Sequence, residues 1–553
     1  MKLKSAAIVI LLLASSLAAG ADDWQFRRQP FQLPARAENL IVADVNGDGL
    51  NDLICEIDER LRVYTQHSDG FDFDNGFAEL VFEARAIGWD ISHGYNDNGH
   101  AEIITLLDGQ QVLAWPMVGS DFIEPRVVHD GLNGFLPRGL NRLYFSRDIN
   151  HDRLDDLVIP AAGQLQIYIR GDGGYQAPLA VQSDMRIRTT LATERLQGRT
   201  GQAISIPLME LRDVNNDGHD DLISRTDEKL DVFIAAPQGA RYFPGQPSYS
   251  LDIAAIEERL GEFDIDNLDF SNLTGVLALT HEEILEDING DGIADLLLRE
   301  GGKVSLFSGT AAGMDFSQPQ QVLRSGGNVL STFVHDENED GLKDLWLWRV
   351  EPISVGDVFL WLALSGSIAV EAFIYPNEGE RFARRPSRRI SVDLRFPSVI
   401  RMATSFREIS QEADNTQSDD IVPTALGQLD GIGDRQDLLV LVNNQLQIFL
   451  DSIEPQQQER PFLGALGYSR QRDNYEINLR ELIDNISVRG NPRLDAVTGR
   501  SAQQVIDLQQ TVVNGDVVTA LLNNDTLDDV FIFTSHSSEA INGVLLLSSD
   551  DAG

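Results

Sequence analysis

The sequence predicts an all-β protein built from repeated antiparallel units, and three observations support this prediction. A nine-residue segment with aspartate or asparagine at positions 1, 3, 5 and 9 occurs five times. Each copy runs directly into a short apolar segment of the kind that forms strands, such as DLICEI or DLLLR. In four copies an aromatic residue follows the last aspartate by twelve positions, so the repeating unit has a constant length.

We call these five segments the aspartate loops. Their sequences are DVNGDGLND (44–52), DINHDRLDD (148–156), DVNNDGHDD (213–221), DINGDGIAD (287–295) and DENEDGLKD (336–344). Oxygen atoms at alternate positions of a tight turn suit Ca²⁺, which takes about six to eight oxygen ligands. We therefore predict about five Ca²⁺ sites, each using the side chains at positions 1, 3, 5 and 9, the carbonyl at position 7, and water.

The predicted ligands of the five loops, in chain order, are Asp44, Asn46, Asp48, Leu50, Asp52, Asp148, Asn150, Asp152, Leu154, Asp156, Asp213, Asn215, Asp217, His219, Asp221, Asp287, Asn289, Asp291, Ile293, Asp295, Asp336, Asn338, Asp340, Leu342 and Asp344.

The aspartate loops differ from EF-hands. An EF-hand carries a bidentate glutamate at position 12 and lies between two helices. Position 12 holds no carboxylate in any of the five loops, and strand-like residues follow each loop. Glycine at position 6 permits the sharp turn in four loops, but Arg153 stands there in the loop at 148–156, so we expect its turn to be strained or different. Solvated turns without metal would explain one such segment, but hardly the same spacing five times.

A β-hairpin is predicted after each loop, because two strand-like segments flank a short turn. The aromatic residues at the twelve-residue spacing are Tyr64, Tyr168, Phe233 and Phe307. In the fifth copy the corresponding aromatic residue is Tyr375, which predicts an insertion in that hairpin.

Three weaker copies extend the repeat to eight units. Their position-9 residues are Glu102, Asp437 and Asp529. Each has a degenerate loop, and the sequence leaves open whether the loops near Asn98, Asp434 and Asp525 bind metal.

Units with four strands each, repeated in this way, predict a β-propeller of four-stranded blades. We expect eight blades, or seven if a degenerate unit merges with its neighbour, with helical insertions between blades. The last unit lacks a fourth strand, and a spare strand (24–33) precedes the first unit. We therefore expect the N-terminal strand to close the last blade of a single domain that covers residues 22–553.

With its repeated aspartate loops, the chain resembles the FG-GAP/VCBS repeat family, which includes the head of the integrin α-subunit. The resemblance covers nearly all of residues 22–553, although the Phe-Gly…Gly-Ala-Pro half of the family pattern is poorly kept. It implies a propeller with Ca²⁺ in its loops. Members of the family range from adhesion heads to lectins and domains attached to enzymes, so the resemblance implies fold and metal rather than activity.

Residues 1–21 are predicted to be a signal peptide. Two lysines precede the apolar run AAIVILLLA, and Ala19-Gly20-Ala21 forms a cleavage site before Asp22. We therefore expect an exported protein, periplasmic or extracellular. The chain has one cysteine, Cys55, which excludes an internal disulfide and is expected to be a buried apolar residue.

The charge of the chain excludes general binding to nucleic acid. The formal net charge is −42 at pH 7, and a polyanion would be repelled.

No membrane span is expected either, because the uncharged run 358–370 is shorter than the ~18 residues needed. Within that run, Ser365-Gly366-Ser367 is interpreted as a turn between strands.

Long insertions are predicted on the face opposite the aspartate loops, at about 182–206, 252–283, 384–424 and 471–514 between blades and at 351–367 within a hairpin. Helical periodicity occurs at 479–486. Such loops either form a binding face or merely cap the central channel of the predicted propeller. Eight arginines crowd the stretch 381–407 and a smaller group lies in 186–199, which suits an anionic glycan or an acidic protein segment, or serves to neutralise the chain's own carboxylates.

A binding function is favoured over catalysis. No catalytic motif such as GxSxG, HExxH or CxxC occurs, and the nine histidines form no recognisable constellation. We expect an exported calcium-binding scaffold for a protein or glycan at the cell envelope. The alternative is a polysaccharide lyase or hydrolase on the same fold, which a cluster of arginine, tyrosine and acidic residues would favour.

Overall fold

The computed structural model describes residues 26–548 outside a set of gaps, and the predicted signal peptide lies outside this range. The gaps are 83–85, 94–99, 135–139, 141, 172, 184–187, 191–202, 206–209, 263, 265–267, 399–421, 432–434, 443, 455–467, 479–491, 509–514, 524 and 535–539.

The chain is all-β, as predicted. The described residues form seven four-stranded sheets, one five-stranded sheet and five small two-stranded ribbons. We number the eight larger sheets in chain order. In sheets 1 to 7 the first four strands follow one another along the chain and pair antiparallel, which is the arrangement that the repeat predicts.

Sheet 1 contains Glu38–Ala43, Asp52–Ile57, Arg60–Tyr64 and Phe77–Leu80. Sheet 2 contains Ala86–Ser92, Glu102–Leu107, Gln111–Trp115 and Arg126–His129. Sheet 3 contains Ser146–Arg147, Asp156–Ala161, Gln164–Tyr168 and Leu179–Gln182. Sheet 4 contains Glu210–Arg212, Asp221–Arg225, Lys229–Phe233 and Tyr249–Asp252.

Sheet 5 contains His281–Glu286, Asp295–Glu300, Lys303–Phe307 and Gln321–Arg324. Sheet 6 contains Asn328–His335, Asp344–Val350, Gly366–Tyr375, Arg388–Phe396 and Asn474–Asn478. Sheet 7 contains Thr424–Gly427, Gln436–Val442, Gln445–Ile453 and Gln504–Asp507. Sheet 8 contains Gly515–Ala520, Asp529–Thr534, Ala540–Leu547 and Arg27–Pro34.

The ribbons and helices lie in the connections. The ribbons pair Gln66–His67 with Gly70–Phe71, Met117–Val118 with Asp121–Phe122, Arg170–Gly171 with Gly174–Tyr175, Arg188–Thr190 with Ala203–Ser205, and Gly309–Thr310 with Gly313–Met314. The helices are Ile253–Leu260, the 3₁₀ helix Leu273–Leu279, Val355–Ala363 and Pro492–Asp495. None of the helices in the described part is long and apolar enough to cross a membrane.

The twelve-residue spacing between aspartate and aromatic residue is the register of each hairpin. The residue after the last aspartate lies opposite the aromatic residue in sheets 1, 3, 4 and 5. In sheet 6, Leu345 lies opposite Tyr375, and the predicted insertion between these strands contains the helix Val355–Ala363. The aspartate loops therefore connect the first and second strands of their sheets.

The N-terminal strand completes sheet 8, as predicted. Arg27–Pro34 pairs antiparallel with Ala540–Leu547 over its whole length. The loop of sheet 1 also contacts the loop of sheet 8, because the backbone nitrogen of Asn51 donates to the carbonyl of Leu522 at 2.7 Å. The first and last units of the chain are thus neighbours in space.

The apolar core lies between neighbouring sheets. Leu53 and Tyr64 of sheet 1 pack in one cluster with Phe531 and Leu545 of sheet 8. Further clusters join sheets 1 and 2, sheets 2 to 4, sheets 4 and 5, sheets 5 and 6, and sheets 7 and 8. In two sheets the second strand is buried at every position, Glu102–Leu107 in sheet 2 and Asp156–Ala161 in sheet 3, because both faces of these sheets are covered.

Three details of the predicted connections are wrong. The segment before Gly366 is a helix rather than a strand, because Ser354 and Asp357 form a capping box that starts it. The stretch 384–424 contains the fourth strand of sheet 6. The stretch 471–514 does not separate two sheets, since Gln504–Asp507 pairs with the third strand of sheet 7 and is its fourth strand. The predicted helical residues 479–486 lie outside the described residues.

Candidate metal sites

Each aspartate loop is closed by the carboxylate at position 1. Its Oδ2 accepts the backbone N–H of position 6 at 2.8–3.0 Å in all five loops. In the loop at 44–52, Oδ1 of Asp44 also accepts the N–H groups of Gly47 and Asp48. The position-1 carboxylate therefore sits inside the turn rather than pointing away from it.

The side chains at positions 3 and 5 converge on the same turn. In all five loops the asparagine Nδ2 donates to Oδ2 of the position-5 aspartate at 2.8–3.2 Å. The asparagine Oδ1 accepts the N–H of position 5 at 2.8–3.2 Å. The structure thus brings together the predicted ligands of positions 1, 3 and 5 in every loop.

The backbone turns at positions 4 and 6 have positive φ in all five loops. Position 6 has φ between 70° and 89°, and Arg153 adopts φ 70° where the others have glycine. The loop at 148–156 therefore has the same turn with a residue in the strained left-handed region, and a different turn is ruled out. The sequence did not reveal position 4, where His151, Asn216 and Glu339 adopt φ of 59–61°.

The oxygens of positions 1, 3 and 5 fit a hard cation. Two carboxylates and one amide carbonyl lie on one partly exposed turn, and carboxylate and carbonyl oxygens are the ligands of Ca²⁺. Among the described residues no group of three or more histidine, cysteine, aspartate or glutamate side chains converges on one point.

The position-9 aspartate joins the loop to the far end of the hairpin. Asp52 is fully buried, with Oδ2 accepting the N–H of Val45 at 3.2 Å and Oδ1 accepting the N–H of Gln66 at 2.9 Å. A corresponding pair of bonds, to a backbone N–H at the start of the loop and to one near the end of the third strand, recurs in six further sheets. In sheets 3 to 6 the two donors are position 2 and the residue two places after the aromatic. The aspartates are Asp156, Asp221, Asp295, Asp344, Asp437 and Asp529.

Burial dominates the titration of these aspartates. It raises the pKa of Asp52 and of Asp156 to about 7, and that of Asp437 and of Asp529 to about 6, against the lowering effect of the backbone N–H groups. Position 9 therefore has a structural role that the sequence interpretation did not contain, and its role as a ligand stays a prediction. The position-9 aspartate also occurs in sheets 7 and 8, where the rest of the loop is degenerate. This recurrence is the sequence signal that could have revealed its structural role.

Consecutive loops contact one another through position 8. Besides Asn51, the backbone nitrogens of Ala101, Ala294 and Asp528 at this position donate to the preceding loop at 2.7–3.0 Å. In sheet 4 the position-8 side chain, Asp220, lies 3.1 Å from Nε2 of His151 in the preceding loop. The loops form a connected series along one end of the sheets, and none of these contacts could be predicted from the spacing.

The degenerate loops are described only in part. Asn98 and Asp434 lie outside the described residues. Asp525 accepts the N–H of Leu527 at 3.1 Å, as position 5 does in the aspartate loops, and also accepts the hydroxyl of Ser548 at 3.1 Å. Its position-1 partner is Leu521, which offers no side-chain oxygen.

Most of the described arginines in 381–395 pair with the chain's own carboxylates. Arg388 lies 2.6 Å from Glu337 and 2.7 Å from Asp473. Arg389 pairs with Glu371, Arg395 with Glu476 and Arg381 with Glu378. Neutralisation of surplus acid accounts for these residues, whereas Arg384 and Arg385 are exposed and make no ion pair among the described residues.

No family model matches the chain, and no curated protein matches it. Three solved structures illustrate the similarity that does exist. A lectin of Agrocybe aegerita that recognises non-reducing terminal N-acetylglucosamine is 16% identical, over 64% of this chain and 80% of its own, with a TM-score of 0.25. BBS1N, solved in complex with ARL6DN, is 10% identical, over 76% of this chain and 94% of its own, with a TM-score of 0.23. The Tc holotoxin pore of Photorhabdus luminescens is 11% identical, over 94% of this chain and 26% of its own, with a TM-score of 0.20. These values assign no function to this chain.

Proposed function

We propose that this chain is an exported, calcium-binding β-propeller of the FG-GAP/VCBS repeat type that serves as a binding scaffold for a protein or glycan at the cell envelope. The observation that carries the proposal is the fivefold recurrence of one loop geometry, with the side chains of positions 1, 3 and 5 on a single turn. A solvated turn needs no such repetition, whereas a cation in each loop requires it.

The arrangement of the sheets supports a closed propeller with eight blades. The pairing of Arg27–Pro34 with Ala540–Leu547 and the contact between Asn51 and Leu522 bring the last unit beside the first. In a closed ring each sheet packs between two neighbours, and this arrangement accounts for second strands that are buried on both faces, such as Asp156–Ala161. Calcium in the loops would neutralise carboxylates along one end of the ring, and so stabilise a chain of net charge −42.

The scaffold role rests on the long connections. The segment 252–280 between sheets 4 and 5 and the segment 351–365 in sheet 6 carry helices and lie at the sheet ends opposite the aspartate loops. Connections on a rigid frame commonly carry recognition. Export rests on the sequence of residues 1–21, and N-terminal sequencing of the mature protein tests it, with Asp22 expected as the first residue.

A pull-down tests the scaffold role. The tagged mature protein is incubated with envelope extract in millimolar calcium and again in EGTA, beside the variant Asp287→Ala. The matched control is Asp58→Ala, which removes an exposed carboxylate from a hairpin turn outside the aspartate loops. A partner held in calcium and released by EGTA supports the proposal. Retention of all partners in EGTA, with an unchanged melting temperature, contradicts it.

A further inference from the structure

A groove of about 600 Å³ lies between sheets 5 and 6. One wall is the fourth strand of sheet 5, Gln321–Arg324, and the other is the connection 376–387 that follows the third strand of sheet 6. The polar side chains that line it and enter the argument are Gln320, Arg324, Tyr375, Glu380, Arg381 and Arg384. Three arginines thus line one groove on a strongly acidic chain.

Two of these arginines are unpaired among the residues that the structure describes. Arg324 and Arg384 are exposed and make neither an ion pair nor a side-chain hydrogen bond with any described residue. Arg381 has only a loose, exposed pair with Glu378 at 3.3 Å. Elsewhere the surplus of carboxylates engages arginine closely, as it does Arg388 with two carboxylates. Unpaired guanidinium groups in such a chain are available to an external anion.

The walls of the groove are held in place before any ligand arrives. The side chain of Gln321 donates to the carbonyl of Phe382 at 2.7 Å and accepts its N–H at 2.8 Å, and Phe382 is 1% exposed. The N–H of Ala383 donates to the carbonyl of Pro376 at 2.7 Å. A preorganised site loses less conformational entropy on binding than a mobile one, so its polar groups contribute more of their interaction energy.

We infer that this groove binds an anionic saccharide that carries carboxylates, such as a chain containing uronic acid. The arginines supply planar donors that match a carboxylate. Glu380 and Gln320 supply side-chain oxygens that accept from sugar hydroxyls, and Tyr375 supplies a ring and a hydroxyl. An acidic peptide presents carboxylates but few hydroxyl groups. It would therefore leave the acceptor oxygens of Glu380 and Gln320 without a donor from the ligand. This inference rests on the proposed binding function and names the ligand class of one site.

Isothermal titration calorimetry with a hyaluronan hexasaccharide tests the inference in low salt and millimolar calcium. Chitohexaose is the neutral probe of equal length, and hexaglutamate is the acidic peptide probe. The variants are Arg324→Ala and Arg384→Ala, which break no internal contact among the described residues. The matched control is Arg385→Ala, an exposed arginine beside Arg384 that does not line the groove.

The expected result is binding of the hyaluronan hexasaccharide that weakens about tenfold or more in each groove variant, because each variant loses a charge-assisted hydrogen bond to a carboxylate. The Arg385→Ala variant binds as the parent does, and chitohexaose binds at least about tenfold more weakly than the charged probe. Four outcomes would overturn the inference. They are chitohexaose binding as tightly as hyaluronan, hexaglutamate binding more tightly than hyaluronan, an equal loss of hyaluronan affinity in Arg385→Ala, and no hyaluronan binding at all. If the protein captures a calcium-dependent partner in the pull-down but does not bind hyaluronan, the proposed scaffold role stands and only the inference about the groove is refuted.

Discussion

The replacement Asp52→Ala tests the hydrogen bonds by which a buried loop carboxylate joins the aspartate loop to its hairpin. It removes both acceptors from the buried N–H groups of Val45 and Gln66. An unsatisfied buried polar group costs about 1–3 kcal/mol, so the two together predict a loss of about 2–6 kcal/mol in the free energy of unfolding. Because these bonds need no metal, the loss is expected both in calcium and in EGTA.

The comparison is Asp44→Ala at position 1 of the same loop. Asp44 is only partly buried, and water can replace it as acceptor for the exposed N–H groups of Gly47 and Gly49. In EGTA we therefore expect a cost of about 1 kcal/mol or less. In calcium the cost grows, because the variant loses a carboxylate ligand of the ion.

Both variants are compared with the parent by thermal and chemical unfolding in millimolar calcium and in EGTA. Hydrogen exchange of peptides that contain Val45 and Gln66 gives a local readout, which is needed because a chain of this length need not unfold in one step. The variant Asp52→Asn keeps one acceptor and is expected to fall between Asp52→Ala and the parent.

Two outcomes would refute the reasoning. If Asp52→Ala leaves the exchange at Val45 and Gln66 unchanged, the buried carboxylate does not join the loop to the hairpin. If Asp44→Ala costs the same with calcium and with EGTA, the loop binds no calcium that stabilises the fold.

Further predictions concern other parts of the chain. Asp287→Ala is expected to reduce the gain in melting temperature on adding calcium, measured by scanning calorimetry. Burial raises the pKa of Asp90 from 3.8 to about 7, so its stabilising contribution is complete below about pH 4 and is lost as pH rises to about 7; Asp90→Asn should flatten the fall in melting temperature between pH 4 and 7. Deleting residues 22–34 exposes the edge strand Ala540–Leu547 and should lower the melting temperature and promote association, seen by light scattering. Arg388→Ala should destabilise more than Arg389→Ala in urea unfolding, because Arg388 is the more buried and joins two carboxylates.

The repeat, the hairpins and their register could be predicted from the sequence, because they depend on local spacing. Turn residues and strand-forming residues alternate within each unit, and the aromatic residue that follows the loop by twelve positions lies opposite the residue after the aspartate. Even the long-range pairing of the N-terminal strand could be predicted, since the last unit lacks a strand and the first is preceded by one.

Other features depend on contacts between distant residues, which a local pattern does not record. The sequence interpretation treated position 9 only as a ligand, and the hydrogen bonds of Asp52 to two buried N–H groups became visible only in the folded chain. It also assigned Arg388 and Arg384 to one cluster, although Arg388 meets carboxylates from other segments and Arg384 lines a groove.

The sequence by itself thus determined the all-β class, the unit length, the acidic composition of the loops and the strand that completes sheet 8, because each depends on residue spacing along the chain. Only the tertiary structure decided which carboxylates are buried, how neighbouring loops bond through position 8, and which of the described arginines make no ion pair. Burial and ion pairing depend on which segments meet in space, and residues as far apart as Asn51 and Leu522 meet only after the units have packed together.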